Sequence, residues 1–327
     1  MSRYRWFSAV LMASIVAASG ASAQQLAVGS GIDPSQGLWL IAQQKGFATK
    51  YGLQLDVKTF ESGSFPLEAV TAGDLVAAGT NGALPSLGGR AKGGRYLGVA
   101  RGLTAPRLAC AVATATVKAP KDLEGKNVGI LPGSSSELWW ARYARYHKIE
   151  RVKTVKVAPA EMVTALRGGQ IDSFFIWEPW CFRATGIVSG AHVLAYGGDN
   201  NVFPFPDLMI NFSESLVRNQ PDTAVKLLRA LYDAAEWVQS NPEAAAQIFA
   251  SAYRGKVDEF TTLTKQMNFG LRLDGSVYEV FYDFAGWMKQ NGLITVPDTK
   301  ALVDGYLYPD LLAKIDPTRV GRPTDKK

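Results

Sequence analysis

Histidine and cysteine are scarce in this sequence. Of its 327 residues, two are histidine (His147 and His192) and two are cysteine (Cys110 and Cys181). Two histidines so far apart supply no metal-ligand cluster, and their positions suggest no Ser/His/Asp constellation. We therefore expect no catalytic residue, no metal site and no cofactor.

Long apolar runs and runs of basic residues are also lacking. The longest apolar run extends from Trp6 to Ala18, about 13 residues, whereas a membrane-spanning helix needs roughly 20. The 35 basic residues are dispersed, with no run of five, against 29 acidic residues and a net charge of +6. We expect no membrane insertion of the mature chain and no binding to nucleic acid.

The apolar run near the N-terminus has the features of a signal peptide. Arg3 and Arg5 precede it, and the small residues "ASA" at 21–23 follow it. We expect cleavage after Ala23, so that residues 1–23 are removed and the mature chain resides in the periplasm. Loss of the two arginines would leave 33 basic and 29 acidic residues, a net charge of +4.

The two cysteines, Cys110 and Cys181, do not form a framework of the kind that staples small secreted domains. Export to an oxidising compartment permits a disulfide between them. Two buried thiols are the simpler interpretation, because free cysteine is among the most buried residue types. The sequence leaves the choice open and favours the thiols.

Strand and helix patterns alternate over the first two thirds of the chain. We predict strands at 26–30, 53–60, 75–79, 96–103, 107–114, 127–133, 154–159, 173–179, 192–198 and 207–213. Helical patterns occupy 36–49, 67–72, 134–149 and 160–168, and longer amphipathic helices follow, one with an apolar stripe at 225–238 and others at 242–253, 257–268, 276–290 and 298–313. Strands separated by helices are typical of parallel pairing. The pattern predicts two α/β lobes followed by a helical tail.

Four predicted strand ends carry polar residues. They are "DPSQ" (33–36), "GTNG" (79–82), "GSSSE" (133–137) and "WEPW" (177–180). In an open parallel sheet the crevice lies beyond the carboxyl ends of the strands, where helix N-termini also point. Such N-termini bind small anions. These four segments are therefore the candidate ligand contacts.

The three serines in "GSSSE" admit two interpretations. Ser134 and Glu137 have the spacing of a capping box, in which each side chain satisfies the other's backbone donor. Ser135 and Ser136 are not needed for that cap. Their hydroxyls, together with the free amides of the helix start, would suit an anionic oxygen.

Glu178 and the tryptophans also have structural and functional interpretations. Glu178 is either a helix cap or a carboxylate that receives a ligand amine or hydroxyl. Five tryptophans lie on or within one turn of the four strand ends, and they either pack in the core or line an organic ligand's pocket. They are Trp39, Trp139, Trp140, Trp177 and Trp180.

Four sequence stretches together resemble a known family. The stretches "GL…IAQQKGF", "VTAGDLVAAGTNGALP", "APKDLEGKNVGILPGSSS" and "GGQIDSFFIWEPW" are similar, in order and spacing, to those of periplasmic substrate-binding proteins of ABC importers in the nitrate, sulfonate and taurine group. The resemblance runs from about residue 26 to 240 and implies a bilobed type II periplasmic binding fold with C-terminal helices. Lobe 1 would comprise 24–112 and 207–327, lobe 2 would comprise 113–206, and a two-strand hinge would cross near 110–116 and 203–208.

The resemblance also implies a ligand site between the lobes and a partner. The implied contacts are Ser35, Gln36, Trp39, Thr80, Asn81, Ser134, Ser135, Ser136, Trp177 and Glu178. Glu178 would receive an amine, as in taurine binders, and Arg101 and Arg183 are candidates for clamping an anionic head. The partner would be an ABC permease with its ATPase. The ligand would be a sulfonate such as taurine or an alkanesulfonate, or an aromatic carboxylate or sulfonate; the many aromatic rings disfavour nitrate.

Two other functions are compatible with the same lobes. Thiamine-pyrimidine synthases and a menaquinone-pathway lyase resemble them, although the cysteine-rich signature of the synthases is absent here. A ligand sensor that reports to a membrane receptor is the other alternative. The sequence does not separate sensing from import.

Overall fold

A computed structural model describes residues 23–62, 64–202 and 208–323. The predicted signal peptide, apart from Ala23, lies outside these described residues. The strands are β1 (Gln24–Gly31), β2 (Leu53–Phe60), β3 (Ala77–Asn81), β4 (Tyr96–Leu103), β5 (Ala109–Ala113), β6 (Asn127–Ile130), β7 (Lys153–Lys156), β8 (Ser173–Trp177), β9 (His192–Tyr196) and β10 (Leu208–Ser213).

Fourteen α-helices are described between and after these strands. They are α1 (Leu38–Gln44), α2 (Phe47–Lys50), α3 (Ser64–Ala72), α4 (Ala83–Ala91), α5 (Ser135–Tyr146), α6 (Met162–Arg167), α7 (Trp180–Ile187), α8 (Glu214–Asn219), α9 (Pro221–Ser240), α10 (Pro242–Tyr253), α11 (Val257–Lys265), α12 (Gly275–Gln290), α13 (Thr299–Tyr306) and α14 (Asp310–Ala313). The predicted helix 298–313 is divided into α13 and α14, because Pro309 disfavours helical backbone at the residue before it.

The strands form two five-stranded sheets with the same design. The first has the order β2-β1-β3-β10-β4 and the second β7-β6-β8-β5-β9. In each sheet, three strands connected through helices pair in parallel. β10 and β5 are antiparallel to both of their neighbours. The prediction of parallel pairing is therefore wrong for these two strands, because each enters directly from the other sheet without a crossover helix.

The chain passes between the sheets twice. It leaves the first sheet after Leu103 and enters the second at Ala109, then leaves β9 at Tyr196 and re-enters the first sheet at Leu208. The predicted boundary after residue 112 falls inside β5, whose residues pair with β8 and β9. The predicted boundary between 206 and 207 lies outside the described residues.

The C-terminal helices cover the first sheet with an apolar face. α9 buries a stripe that includes Leu227, Leu228 and Leu231, all fully buried. This helix packs against α1 and α2, so the tail of the chain completes the lobe with which the chain begins. None of the described helices has the length and apolar character needed to cross a membrane.

Cys110 in β5 and Cys181 in α7 form a disulfide, with their Cα atoms 6.3 Å apart. The preference for two buried thiols is therefore wrong. Both sulfurs lie in the core of the second sheet, where burial was predicted correctly. The bond ties a central strand to the helix that follows "WEPW".

We predict that the double variant Cys110→Ser, Cys181→Ser is less stable by about 2–5 kcal/mol, because the bond closes a long loop and restricts the unfolded chain. Urea denaturation with tryptophan fluorescence measures this difference. Wild-type protein kept in reductant should unfold like the variant. Equal midpoints for variant and oxidised wild type would contradict the assignment of a stabilising role.

Candidate ligand-binding site

A small cavity lies between the two sheets, beside the carboxyl ends of β1, β3 and β8. Its volume is about 40 Å³, which is room for a few water-sized groups. Its described lining residues come from both sheets: Asp33, Ser35, Gln36, Ser62, Ser64, Thr80, Asn81, Gly82, Pro85, Leu108, Ser134, Ser135, Trp177 and Leu208.

Seven of the ten residues predicted for the site line this cavity. They are Ser35, Gln36, Thr80, Asn81, Ser134, Ser135 and Trp177. The other three, Trp39, Ser136 and Glu178, are buried nearby and are not among the lining residues. All four predicted strand-end segments therefore contribute to one hollow or to the core directly behind it.

The segment after β1 supplies both an acceptor and a donor. Asp33 caps the short 3-10 helix Pro34–Gln36, accepting from the backbone N–H of Ser35 at 2.9 Å and from the Ser35 hydroxyl. The Oε1 atom of Gln36 accepts from the N–H of Gly31 at 2.7 Å. No described residue accepts from Nε2 of Gln36, so this amide N–H is available to a ligand in the cavity.

Asp33 is the titratable residue among the described residues of the cavity lining. Burial raises the pKa of its carboxyl to about 6, although the two hydrogen bonds from Ser35 oppose the shift. At neutral pH the carboxylate is mostly ionised and repels a simple anion. Below about pH 6 it becomes a neutral hydrogen-bond donor. The sequence analysis quoted "DPSQ" but did not select Asp33.

The segment after β3 brings a helix N-terminus to the cavity. Thr80 donates to the carbonyl of Ser35 at 2.5 Å, and Asn81 accepts from the side chain of Asn211 in β10 at 3.0 Å. α4 then begins after Gly82, an N-cap with no side-chain hydrogen bond. Pro85 has no N–H, and Ser86 N donates to Gly82 O at 3.2 Å, so the first-turn amides of α4 without an acceptor within the helix are those of Ala83 and Leu84.

The three serines after β6 have three different roles. Ser134 is the N-cap of α5: its hydroxyl accepts from Ser136 N at 3.1 Å and donates to Leu131 O at 2.7 Å. Ser136 donates to Phe175 O and accepts from Leu131 N, so its hydroxyl is committed within the lobe. The hydroxyl of Ser135 makes no hydrogen bond with any described residue and lines the cavity.

The predicted capping box is not formed, although Ser134 is the N-cap as predicted: its hydroxyl accepts from Ser136 N and not from Glu137 N. Glu137 accepts from the N–H of Gly133 at 2.7 Å, one residue before the N-cap, rather than from that of Ser134. The carboxylate still satisfies a backbone donor at the start of α5. The prediction that Ser136 contacts a ligand is not supported, because its hydroxyl bridges two backbone groups instead.

The tryptophans belong mainly to the core. Trp39 is 1% exposed and contacts Phe212, while Trp139 and Trp140 both pack on Phe175. Of the five tryptophans near the strand ends, Trp177 lines the cavity. An aromatic-walled pocket is therefore not what these residues build, and the tryptophans give no reason to disfavour a small inorganic ion.

Glu178 caps a helix rather than facing the cavity. Its carboxylate accepts from the N–H of Phe182 in the first turn of α7 at 2.9 Å, and it is 5% exposed. Burial raises the pKa of its carboxyl to about 7, with a further contribution from the nearby Glu259.

Cys110, Glu178 and Cys181 form one group with the spacing of metal ligands, but the two sulfurs are bonded to each other and are not thiolates.

The two arginines considered for clamping an anionic head lie away from the cavity. Arg101 reaches the carbonyl of Gly270 at 3.4 Å. Arg183 lies 3.7 Å from the carboxylate of Glu259 and over the ring of Trp180. Neither is among the described lining residues. Any attraction for an anion in this cavity must come from hydroxyl, amide and helix-terminal N–H groups.

The loop after β2 is a contributor that the sequence analysis missed. The hydroxyls of Ser62 and Ser64 lie 3.0 Å apart, and both residues line the cavity. The stretch "ESGS" follows a strand that was correctly predicted, and its edge of the sheet is shared with β1 and β3. A fifth strand end at this position would have added Ser62 and Ser64 to the predicted contacts.

The lobes are in contact around the cavity. A Cβ atom added to Gly82 would overlap the hydroxyl of Ser135, so glycine is what allows α4 and α5 to approach this closely. Farther out, Arg142 of α5 lies 3.3 Å from Asp283 of α12. The ion pair between Arg183 and Glu259 also joins the second sheet's helices to the tail.

We predict that Glu178→Gln flattens the pH dependence of stability. The unfolded carboxyl loses its proton near its ordinary pKa of 4.5, and the folded one near 7. Between these values the unfolded state binds fewer protons, so the free energy of unfolding of the wild type falls as pH rises. Glutamine keeps an oxygen that accepts from Phe182 N without this penalty.

Urea denaturation of both proteins at pH 5 and pH 8 tests this prediction. The variant should gain stability relative to wild type at pH 8, on the order of 1–3 kcal/mol, and little at pH 5. A constant difference between the two proteins at both pH values would contradict an elevated pKa for Glu178.

Two proteins of known name are similar to this chain in sequence. A Brucella abortus (strain 2308) protein named as a binding protein is 28% identical over 235 residues, which is 70% of each chain. A Bacillus subtilis (strain 168) protein named as an aliphatic sulfonates-binding protein is 27% identical over 244 residues, 71% of each chain.

Solved structures share the fold. The alkanesulfonate-binding protein SsuA from Xanthomonas axonopodis pv. citri, bound to MOPS, aligns with a TM-score of 0.76 at 18% identity, covering 87% of this chain and 98% of that one. The desulfurization enzyme DSZB aligns with a TM-score of 0.67 at 19% identity, covering 90% of this chain and all of that one. The bilobed type II periplasmic binding fold is thereby confirmed. A family model matches residues 24–252, and the chain belongs to the NMT1-like family.

Proposed function

We propose that this chain is a periplasmic solute-binding protein that captures a small organic anion between its lobes and delivers it to an ABC permease with its ATPase. One observation carries the proposal. The N-terminal turns of α4 and α5, one from each lobe, meet at one cavity, where the hydroxyl of Ser135 makes no hydrogen bond with any described residue. The relatives named as sulfonate-binding proteins support the same ligand class.

Binding to both lobes at once explains how a ligand would promote closure. Each helix start carries about half a positive charge and first-turn amides without acceptors. When no ligand is bound, closure removes water from these amide N–H groups and supplies no other acceptor. An anion in the cavity that contacts both Gly82 and Ser135 satisfies donors from both lobes, so it stabilises the closed form that a permease would recognise.

A sulfonate head suits the donors better than a group with fewer oxygens. Its three oxygens can accept from the amide of Gln36, the hydroxyl of Ser135 and the first turn of α4 at the same time. Asp33 adds selectivity. It would attract a ligand that carries an ammonium or hydroxyl group close to the anionic head, as in an aminosulfonate, and would disfavour a plain anion at neutral pH.

The second candidate is an enzyme on the same fold, which the likeness to the desulfurization enzyme favours. Catalysis would require a reactive group beside the ligand. Both cysteines are joined in the disulfide, and Asp33 is already hydrogen-bonded by Ser35. Mass spectrometry after incubation of purified protein with bound sulfonates distinguishes the two: unchanged ligand supports binding, and product formation supports the enzyme.

We predict a split between two adjacent serines in a thermal-shift screen of sulfonates, carboxylates, nitrate and amino acids. A ligand at 100 times its Kd adds about 2.7 kcal/mol to the stability of the protein. Ser135→Ala should weaken binding of the best anion about tenfold and leave the apo protein's stability unchanged. Ser136→Ala should destabilise the apo protein by about 1–3 kcal/mol, because it leaves Leu131 N or Phe175 O unpaired.

Isothermal titration calorimetry gives both affinities, with Ser136→Ala as the matched control at the next residue. Equal affinity of wild type and Ser135→Ala for every anion would argue against the cavity as the site. A response to cations alone would contradict the proposal that the ligand is an anion.

We predict opposite pH dependences for two related ligands. Ethanesulfonate should bind wild type more tightly at pH 5 than at pH 8, because Asp33, with its pKa near 6, loses its negative charge. Taurine should bind more tightly at pH 8, where its ammonium group meets an ionised carboxylate. Asp33→Asn should remove both trends while keeping an oxygen for Ser35 N. Affinities that do not depend on pH or on this substitution would place Asp33 outside the ligand's reach.

A further inference from the structure

A second, larger hollow begins where the first one ends. Its volume is about 720 Å³. It runs between α3 and α4 on the first lobe. On the other side it is bounded by Pro132, Gly133 and Glu137, which precede or begin α5. We call this hollow the α3–α4 groove. It therefore starts at the junction of the lobes and leads away from it.

Two residues join the groove to the ligand cavity. Ser64 and Pro85 line both hollows, so the two hollows adjoin at these residues. Ser64 is the first residue of α3, and Pro85 lies in the first turn of α4. The groove is therefore the neighbouring space for those atoms of a ligand that do not fit in the cavity.

The two hollows differ greatly in size, which suits a ligand with a small head group and a larger tail. The cavity, at about 40 Å³, holds little beyond a head group, while the groove holds a substantial organic fragment. We propose that the α3–α4 groove binds the apolar tail of an anion whose head occupies the cavity. The proposal rests on the proposed function and narrows its ligand class to amphiphilic monoanions, such as long-chain alkanesulfonates.

The lining of the groove agrees with an apolar tail. Phe65 at its side is 44% exposed, and Leu67 and Leu84 also contribute. The charged residues along it are Glu68, Lys92 and Glu137, a net charge of −1. A second negative group at the far end of the ligand is therefore disfavoured. The nine residues of α3 span about 13 Å, which sets the approximate length of tail that the groove can cover.

Gly88 offers a way to fill the groove without touching the cavity. It lies within α4, lines the groove, and would bring a Cβ no closer than 3.4 Å to Leu84. A Cβ atom is therefore tolerated at this position, and the longer side chain of Gly88→Leu would extend into the groove that Gly88 lines. Gly286→Leu is the matched control, because Gly286 lies inside α12, with nothing within 4 Å of its Cβ position, and away from both hollows.

The test is calorimetric titration of the mature protein at pH 5, where Asp33 is mostly uncharged, with methane-, butane- and octanesulfonate. For wild type we expect affinity to rise with chain length, by at least about tenfold from butane- to octanesulfonate, since each buried methylene contributes about 0.8 kcal/mol. Gly88→Leu should reduce the preference for octane- over methanesulfonate by at least about tenfold. Gly286→Leu should retain the wild-type preference.

The outcomes separate this inference from the proposed function. Binding of methanesulfonate with no gain from longer chains would overturn the groove proposal and leave the solute-binding function in place. A chain-length preference that Gly88→Leu does not change would also overturn the groove proposal. If no sulfonate binds at any length, both proposals fail. The wild-type series gives a decision even if Gly88→Leu does not fold.

Discussion

The close approach of two helix N-termini from different lobes is the constraint on which the rest of the site depends. Gly82 and Ser135 are in contact at the start of α4 and α5, and the lack of a Cβ on Gly82 permits that contact. Closure takes unsatisfied backbone donors out of bulk water, which is costly unless an acceptor replaces the water. Under the proposed function, a bound anion would supply that acceptor. Ligand binding would then stabilise the contact between the lobes.

Much of the fold could be predicted from the sequence, because its strands are short apolar or alternating runs bounded by glycine and proline. The bounds of β2, β4 and α10 were predicted to the residue. Strand direction could not be derived from local pattern. β5 and β10 look like the other strands, and their antiparallel pairing arises only because each crosses between sheets. The disulfide likewise depends on tertiary proximity and was not favoured.

The residues that line the cavity were identified in part from the sequence, and two of the predicted contacts, Ser136 and Glu178, bind backbone groups instead. Strand ends identified seven lining residues, since the carboxyl edge of a parallel sheet gathers them by topology. The sequence did not indicate α4, whose "ALPSLGGRA" contains a proline and two glycines that are poor helix formers. Ser136 and Glu178 were assigned to the ligand because their types suit it. The backbone groups that they contact, Phe175 O for Ser136 and Phe182 N for Glu178, are determined by how the chain packs.

The most direct test of the account is a crystal structure of the mature protein with a bound alkanesulfonate. The account predicts the sulfur atom in the cavity beside Gly82 and Ser135, with sulfonate oxygens within hydrogen-bonding distance of the Ser135 hydroxyl and of a free amide at the start of α4. Density for the ligand elsewhere on the chain, with these donors facing only water, would contradict the central claim.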